Sequence, residues 1–487
     1  MTRVIKARYV LTALVTALAF APPTAGAATG SGPGRPAGAP VRDAVERPAA
    51  NRGAAAYVVP GPDAGPTAHA PVPAVGAPAP GAVGAPGYRA SGADPLPPVP
   101  SVTEALTSGV LRPPDEDWTG TWEAAPSGTV PGLPGASVRN VVHTSVGGSA
   151  VRVRISNRLG TAPLRLGSLT VALHRPGAPA SPDAVPGSLR TATFAGARSV
   201  VVPAGWDLVS DPVRLRVPAG ADLLISVHTP DATGPATYHR SALQTNFLAR
   251  RGDHTRDEHG DAYTVTLGNW YYVTGVDVLD APAAGSVVAL GDSLTDGTGS
   301  TYGANHRWPD RLAERLRGLP PARRLGVLNA GISGNRVLRA GVGPDALSRL
   351  DADVLSRTGV RALIVLEGVN DIKGTPEQLD PAAFEDAYRR IVRRAHAHGI
   401  RVIGATLTPY GGHGAWTTSR EAARRAVNSL VRSGGIFDDV ADFDAAVRDP
   451  ARPTRIRPAY DPGDHLHLND AGMRALAGRV DLASLVR

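Results

Sequence analysis

From about Trp118 to Leu279, apolar residues recur at every second position. In AVRVRISN, Val151, Val153 and Ile155 point one way while Arg152, Arg154 and Ser156 point the other. PVRLRVPAG repeats the pattern with Val213, Leu215 and Val217, and SLTVALH with Leu169, Val171 and Leu173. A period of two belongs to half-buried strands, and the Gly/Pro turns between the runs predict an antiparallel β-sandwich or jelly roll. After Ser286 the pattern changes. The aliphatic runs SVVAL, LGVLNA, VRALIVLEG, IRVIGATLTP and IFDDVADF alternate with segments of helical period. In one segment Trp308, Leu312, Leu316 and Leu319 share a face, and Pro309 suits a first turn. In another, Phe384, Ala387, Tyr388, Ile391, Val392 and Ala395 form a stripe, with Gly399 placed to end the helix. Strands that are apolar throughout and alternate with helices predict a doubly wound α/β region whose parallel sheet is covered on both faces.

The remaining sequence carries neither pattern. Residues 1–27 hold Arg3, Lys6 and Arg8, then an apolar run, then Ala25-Gly26-Ala27, which is the order of a secretory signal peptide cleaved after Ala27. The run is short for a bilayer and is broken by Pro22-Pro23, so an exported, extracellular protein without stable membrane insertion is expected. Residues 28–114 are dominated by Pro, Ala and Gly, with too little apolar surface to offset the entropy of ordering, and read as a disordered linker or pro-segment. The expected organisation is therefore a signal peptide (1–27), a linker (28–114), a β-sandwich accessory domain (115–283) and an α/β domain (284–487).

Composition narrows the chemistry. The 487-residue chain has no cysteine, which excludes disulfides, thiol nucleophiles and thiolate-bound metals. Its net charge of +8 comes almost entirely from arginine, with Lys6 and Lys373 the only lysines. The charges are scattered rather than gathered into a stripe with interleaved aromatics, so no nucleic-acid partner is expected. The cluster Asp253, His254, Asp257, Glu258 and His259 has no recognised ligand spacing and reads as a solvated loop. No oligomeric state follows from the pattern.

In doubly wound sheets ligands bind beyond the carboxyl ends of the strands. The first strand delivers Gly291-Asp292-Ser293, the second Asn329 to Asn335, and the third Gly368-Val369-Asn370-Asp371. Before the last helix, DPGDHLHLNDAG places Asp464 three residues ahead of His467. These are the parts of a serine esterase. Ser293 would be the nucleophile, His467 the base that takes its proton, and Asp464 the acceptor that holds the imidazole in one tautomer. The N–H groups of Ser293 and Gly334 and the side-chain amide of Asn370 could stabilise an oxyanion. Taken singly, each has a plainer reading: Asp292 and Asp296 as helix caps, Asn370-Asp371 as a turn, His465 with His467 as half of a metal site, His396 and His398 as surface residues. No metal or organic cofactor is expected.

The four blocks GDSLTDG, NAGISGN, GVND and the Asp464-x-x-His467 pair, in this order, resemble the SGNH (GDSL-type) hydrolase family. RWPDRLAERL, GISGNRVL and LEGVNDI are similar to a secreted, two-domain bacterial arylesterase- or acylhydrolase-like branch with a β-rich domain ahead of the hydrolase domain. The resemblance covers the chain from about Ser286 onward. It implies a flavodoxin-like sheet and assigns Ser293, Gly334, Asn370 and His467 to the four named positions, with Asp464 completing the triad. Many members carry proline after the histidine, where this chain has Leu468, and Gly331 offers a second glycine in the same loop as Gly334. The implied activity is hydrolysis of a small-molecule or polysaccharide ester through an acyl-serine. The small residues Gly297, Thr298, Gly299 and Ser300 behind Ser293, and the lack of a long apolar stretch near the motifs, add the expectation of short acyl groups, acetyl above all. Lipase, phospholipase and acyltransferase activities would use the same residues, and a glycan-binding protein is the non-enzymatic alternative.

Overall fold

Five parallel strands carry the C-terminal half: β1 (Ser286–Gly291), β2 (Gly326–Gly331), β3 (Val360–Leu366), β4 (Arg401–Ala405) and β5 (Asp439–Ala441). Their spatial order is 2-1-3-4-5, the flavodoxin-like doubly wound order. Each coincides with one of the five aliphatic runs, because a strand covered on both faces needs apolar residues at every position. The register brings the strand ends level, since Gly291 of β1 lies beside Gly331 of β2 and Leu366 of β3. The polar residues that follow these strands therefore emerge side by side.

The computed structural model describes residues 117–175, 181–232, 234–433 and 435–486. The expected signal peptide and Pro/Ala/Gly-rich linker lie outside the described residues. No helix among the described residues is long and apolar enough to cross a membrane.

The helices bury the faces that their periodicity predicts. Trp308, Leu312 and Leu316 of helix Trp308–Arg317 are fully buried, and Trp308 meets Phe443 edge-on at 5.4 Å. Helix Pro381–His396 buries Phe384, Ala387, Tyr388, Ile391, Val392 and Ala395. It ends in a Schellman motif: Ile400 N–H donates to Ala395 O, Gly399 N–H donates to His396 O, and Gly399 has a φ of 68°.

Ahead of the parallel sheet lies a β-rich region with two main antiparallel sheets. One orders Trp118–Glu123, Val273–Leu279, Ala150–Ser156 and Asp207–Val209. The other orders Val265–Leu267, Asn246–Ala249, Ala136–His143, Asp222–Thr229, Ser168–Leu173 and Arg190–Ala192. Val151, Val153 and Ile155 from the first share a core with Val138, Leu169, Val171, Ile225 and Val227 from the second, which makes the region a sandwich. Val213, Leu215 and Val217 alternate as expected in burial, but they join the sheet only through isolated bridges.

The polar positions of the alternating pattern do not all face water. Arg152 is buried, donating to Asp277 at 2.8 Å and to Thr358 of the α/β region at 2.9 Å. Arg158 pairs with Asp353 at 2.5 Å, and Arg357 with Glu123 at 2.8 Å. A parallel bridge joins Ala124 to Asn329 just beyond the strand Trp118–Glu123, so the β-rich region lies along the β2 edge of the parallel sheet. Buried ion pairs of this kind define an orientation more than they add net stability. The described residues all belong to one compact unit.

Candidate active site

Ser293 opens a one-turn helix, Ser293–Asp296, directly after β1. Asp292 is its N-cap and accepts from Leu294 N–H at 3.0 Å, so one of the two plainer readings of the acidic residues holds at Asp292 alone. Ser293 is only 8% exposed. Its Oγ lies 2.9 Å from His467 Nε2, and His467 Nδ1 lies 2.5 Å from Asp464 Oδ2. Two residues 174 positions apart are thus brought within hydrogen-bond reach.

The Asp464 carboxylate also organises its own loop, with Oδ1 accepting from Leu466 N–H and His467 N–H. Burial alone would raise its pKa, but these bonds and the one from the imidazole hold it below the ordinary carboxylate value. The side chain of His467 is 17% exposed and that of Asp464 47%, so the relay runs outward from a buried Ser293 to the surface at Asp464. His465 turns the other way, to Asp461 at 2.5 Å, and shares no ligand position with His467. Leu468 is fully buried in the core.

The loop after β2 distinguishes its two glycines. A Cβ on Gly331 would come within 2.3 Å of Asp296 N, so Gly331 serves the close packing of the β2 end on the nucleophile turn. Gly334 is part-exposed with a φ of 85°, a conformation that glycine adopts without strain. Among the described residues, neither Ser293 N–H nor Gly334 N–H donates to another protein group. Asn370, in the turn Val369–Lys373 after β3, already uses its amide: Nδ2 donates to Asn335 O at 2.9 Å and to Asp292 Oδ2 at 3.2 Å. Any oxyanion would compete for the longer of these bonds. Asp292 itself is buried, which pushes its pKa up to about 7. Asp371 is structural, accepting from the N–H groups of Val337 and Leu338 at 2.9 and 3.0 Å.

Several supporting residues carry no motif and escape a reading of the sequence. Buried Arg349 donates to Gly291 O, Ala330 O and Asn335 Oδ1, tying together the ends of β1 and β2. Asp296 is not a cap; it accepts from Ser333 N–H at 2.9 Å and Ser333 Oγ at 2.5 Å. Its other oxygen meets His239 of the β-rich region at 3.0 Å. The segment read as a solvated loop exposes Asp253, Asp257 and His259 and is tied down by local bonds: Asp253 accepts from Ser168 and Thr255, His254 pairs with Asp257, and Glu258 accepts from Gly187 N–H. His396 and His398 are exposed, the first beside Asp438 and the second against Arg394 O.

A hydroxyl, an imidazole and a carboxylate in series at the carboxyl ends of a parallel sheet form the arrangement of the serine hydrolases. Residues 289–475 match the profile of the GDSL-like Lipase/Acylhydrolase family. Residues 289–475 therefore form a GDSL-like lipase/acylhydrolase domain, a domain of hydrolase type. No curated protein sequence matches significantly. Among solved structures, the aryl esterase of M. smegmatis is similar at 16% identity, over 40% of this chain and 94% of that one, with a TM-score of 0.33. A lipase/acylhydrolase from Enterococcus faecalis is similar at 21% identity, over 40% and 92%, with a TM-score of 0.31. The acetyl xylan esterase AlAXEase is similar at 21% identity, over 40% and 96%, with a TM-score of 0.31.

Proposed function

We propose that the protein hydrolyses carboxylic esters of short acyl groups through an acyl-serine formed on Ser293. The observation that carries this reading is the 2.9 Å approach of His467 Nε2 to Ser293 Oγ, with Asp464 on the far side of the ring. In the first half-reaction Ser293 Oγ attacks the ester carbonyl and His467 takes its proton. The tetrahedral intermediate collapses, His467 protonates the departing alcohol oxygen, and the acyl group stays on Ser293. Water, deprotonated by His467, then attacks the acyl carbonyl, the acid leaves, and Ser293 regains its proton. Throughout, Asp464 stabilises the imidazolium. Ser293 N–H, Gly334 N–H and the Asn370 amide face the oxyanion in turn.

The acyl preference rests on the emergence of the relay at the surface at Asp464 and on the small residues Gly297, Thr298, Gly299 and Ser300 behind the nucleophile. An open site offers little surface to bury a long chain, and so forgoes the roughly 0.8 kcal/mol that each buried methylene would contribute. The test is kcat/KM for aryl esters from acetyl to palmitoyl, with wild type and Ser293→Ala side by side. Turnover should be highest with acetyl and absent in the variant, and a fluorophosphonate should add its mass to the wild type alone. Activity surviving in Ser293→Ala would overturn the mechanism. A steady rise in kcat/KM with chain length would overturn the short-acyl assignment.

A further inference from the structure

We infer that His239, from the β-rich region, is a positioning residue for the active site: through Asp296 it holds the Ser333–Gly334 turn where the oxyanion forms. The inference rests on the catalytic reading above and deepens it by making the accessory region part of the machinery.

His239 lies in strand Ala236–His239, more than fifty residues ahead of the nucleophile, and its side chain is 3% exposed. Both ring nitrogens face acceptors. Nδ1 lies 2.7 Å from Ala125 O, and Nε2 lies 3.0 Å from Asp296 Oδ1. A neutral imidazole has one N–H and could serve only one of them, so the ring carries both protons and a positive charge. Burial would lower its pKa, yet the Asp296 charge and the bonds to Asp296 and Ala125 O carry it above the ordinary value. Arg307 is the other cation at this place: its Nε donates to Asp296 O, and its guanidinium reaches Ala242 O of the β-rich region. Trp270 packs against both, 5.5 Å from the His239 ring and 5.6 Å from the Arg307 guanidinium.

The carboxylate of Asp296 is therefore divided between two tasks. Oδ1 is held by His239, while Oδ2 accepts the N–H and Oγ–H of Ser333. Ser333 precedes Gly334, whose N–H is unoccupied among the described residues. Asp296 also stands three residues after Ser293 in the nucleophile turn. A single buried carboxylate thus links the nucleophile turn to one oxyanion donor, and the bond from His239 fixes the orientation of that carboxylate. Without that partner Asp296 Oδ1 loses its bond and the carboxylate is held on the Ser333 side alone, so the Gly334 donor is less firmly fixed where the oxyanion forms.

The test compares His239→Phe, His239→Gln and Ser333→Ala with wild type on an acetyl aryl ester, with thermal unfolding as a check on folding. Phe keeps the volume but has no donor; Gln can still donate to Asp296. Loss of positioning acts on the transition state, so His239→Phe should lower kcat by about tenfold to a hundredfold with KM nearly unchanged. His239→Gln should recover most of that loss. Ser333→Ala should lower kcat by several-fold, and the double variant with His239→Phe should fall little further, because both act through Asp296. A folded His239→Phe with wild-type kcat overturns the inference, as does a His239→Gln that falls as far as Phe. If His239→Phe does not fold, Ser333→Ala decides: wild-type kcat in that variant overturns the inference. Failure of the catalytic reading looks different, since Ser293→Ala would then remain active.

Discussion

Asn370 shows how much one side chain is asked to do. Its amide bridges Asn335 O and Asp292 in the resting site, and the proposed mechanism has it turn toward an oxyanion. If that donor acts only in the transition state, Asn370→Ala should lower kcat by about two to three orders of magnitude and leave KM nearly unchanged. Steady-state kinetics on a short aryl ester measures it; a normal kcat with a raised KM would make Asn370 a ground-state binding residue instead. Its place in GVND was legible in the sequence, and so were Ser293 and Gly334, because each stands in a short block after a strand, and Asp464 and His467, because their block stands just before the last helix. The partners of Asn370 were not legible. Asp292 looked like a cap and is one, but its second oxygen, which receives the amide, faces a buried interior that no local pattern reports.

Elements come next. The turn at Ser293 packs on the ends of β1 and β2, and the helix Trp308–Arg317 completes the core beside it with Trp308, Leu312 and Leu316, Trp308 lying edge-on to Phe443. Leu312→Ala removes a fully buried side chain and should cost about 2–5 kcal/mol, depending on how far the cavity collapses. Urea unfolding followed by circular dichroism gives the value, and a loss under about 1 kcal/mol would mean that the helix is not anchored by this face. Helices and parallel strands were readable because each buries a face or a whole run with its own period. The segment Val213–Val217 was overread. Its alternation matched a strand, yet its backbone meets the sheet only in isolated bridges, since period reports burial and not the hydrogen-bond partner.

At the scale of the molecule, the β-rich region and the α/β region meet through buried polar contacts: the hydrogen bond of Arg152 to Thr358 and the pairs Arg158 with Asp353, Arg357 with Glu123 and His239 with Asp296. The last pair makes stability depend on pH in a definite sense. His239 holds its proton more tightly folded than unfolded, so its contribution is complete below the unfolded histidine value and is lost as pH rises through the higher folded one. The difference in Tm between wild type and His239→Gln should therefore be largest near about pH 5.5 and shrink toward about pH 9. A difference that grows with pH would mean a neutral ring at this position. The strands, the helices and the order of the four motif blocks could be read from the chain alone, because each depends on neighbours within a few residues. The level alignment of Gly291, Gly331 and Leu366, the meeting of Ser293 with His467, and the contact of His239 with Asp296 depended on packing. Local periodicity states which side of an element is buried; only the close approach of distant elements decides which buried charge finds which partner.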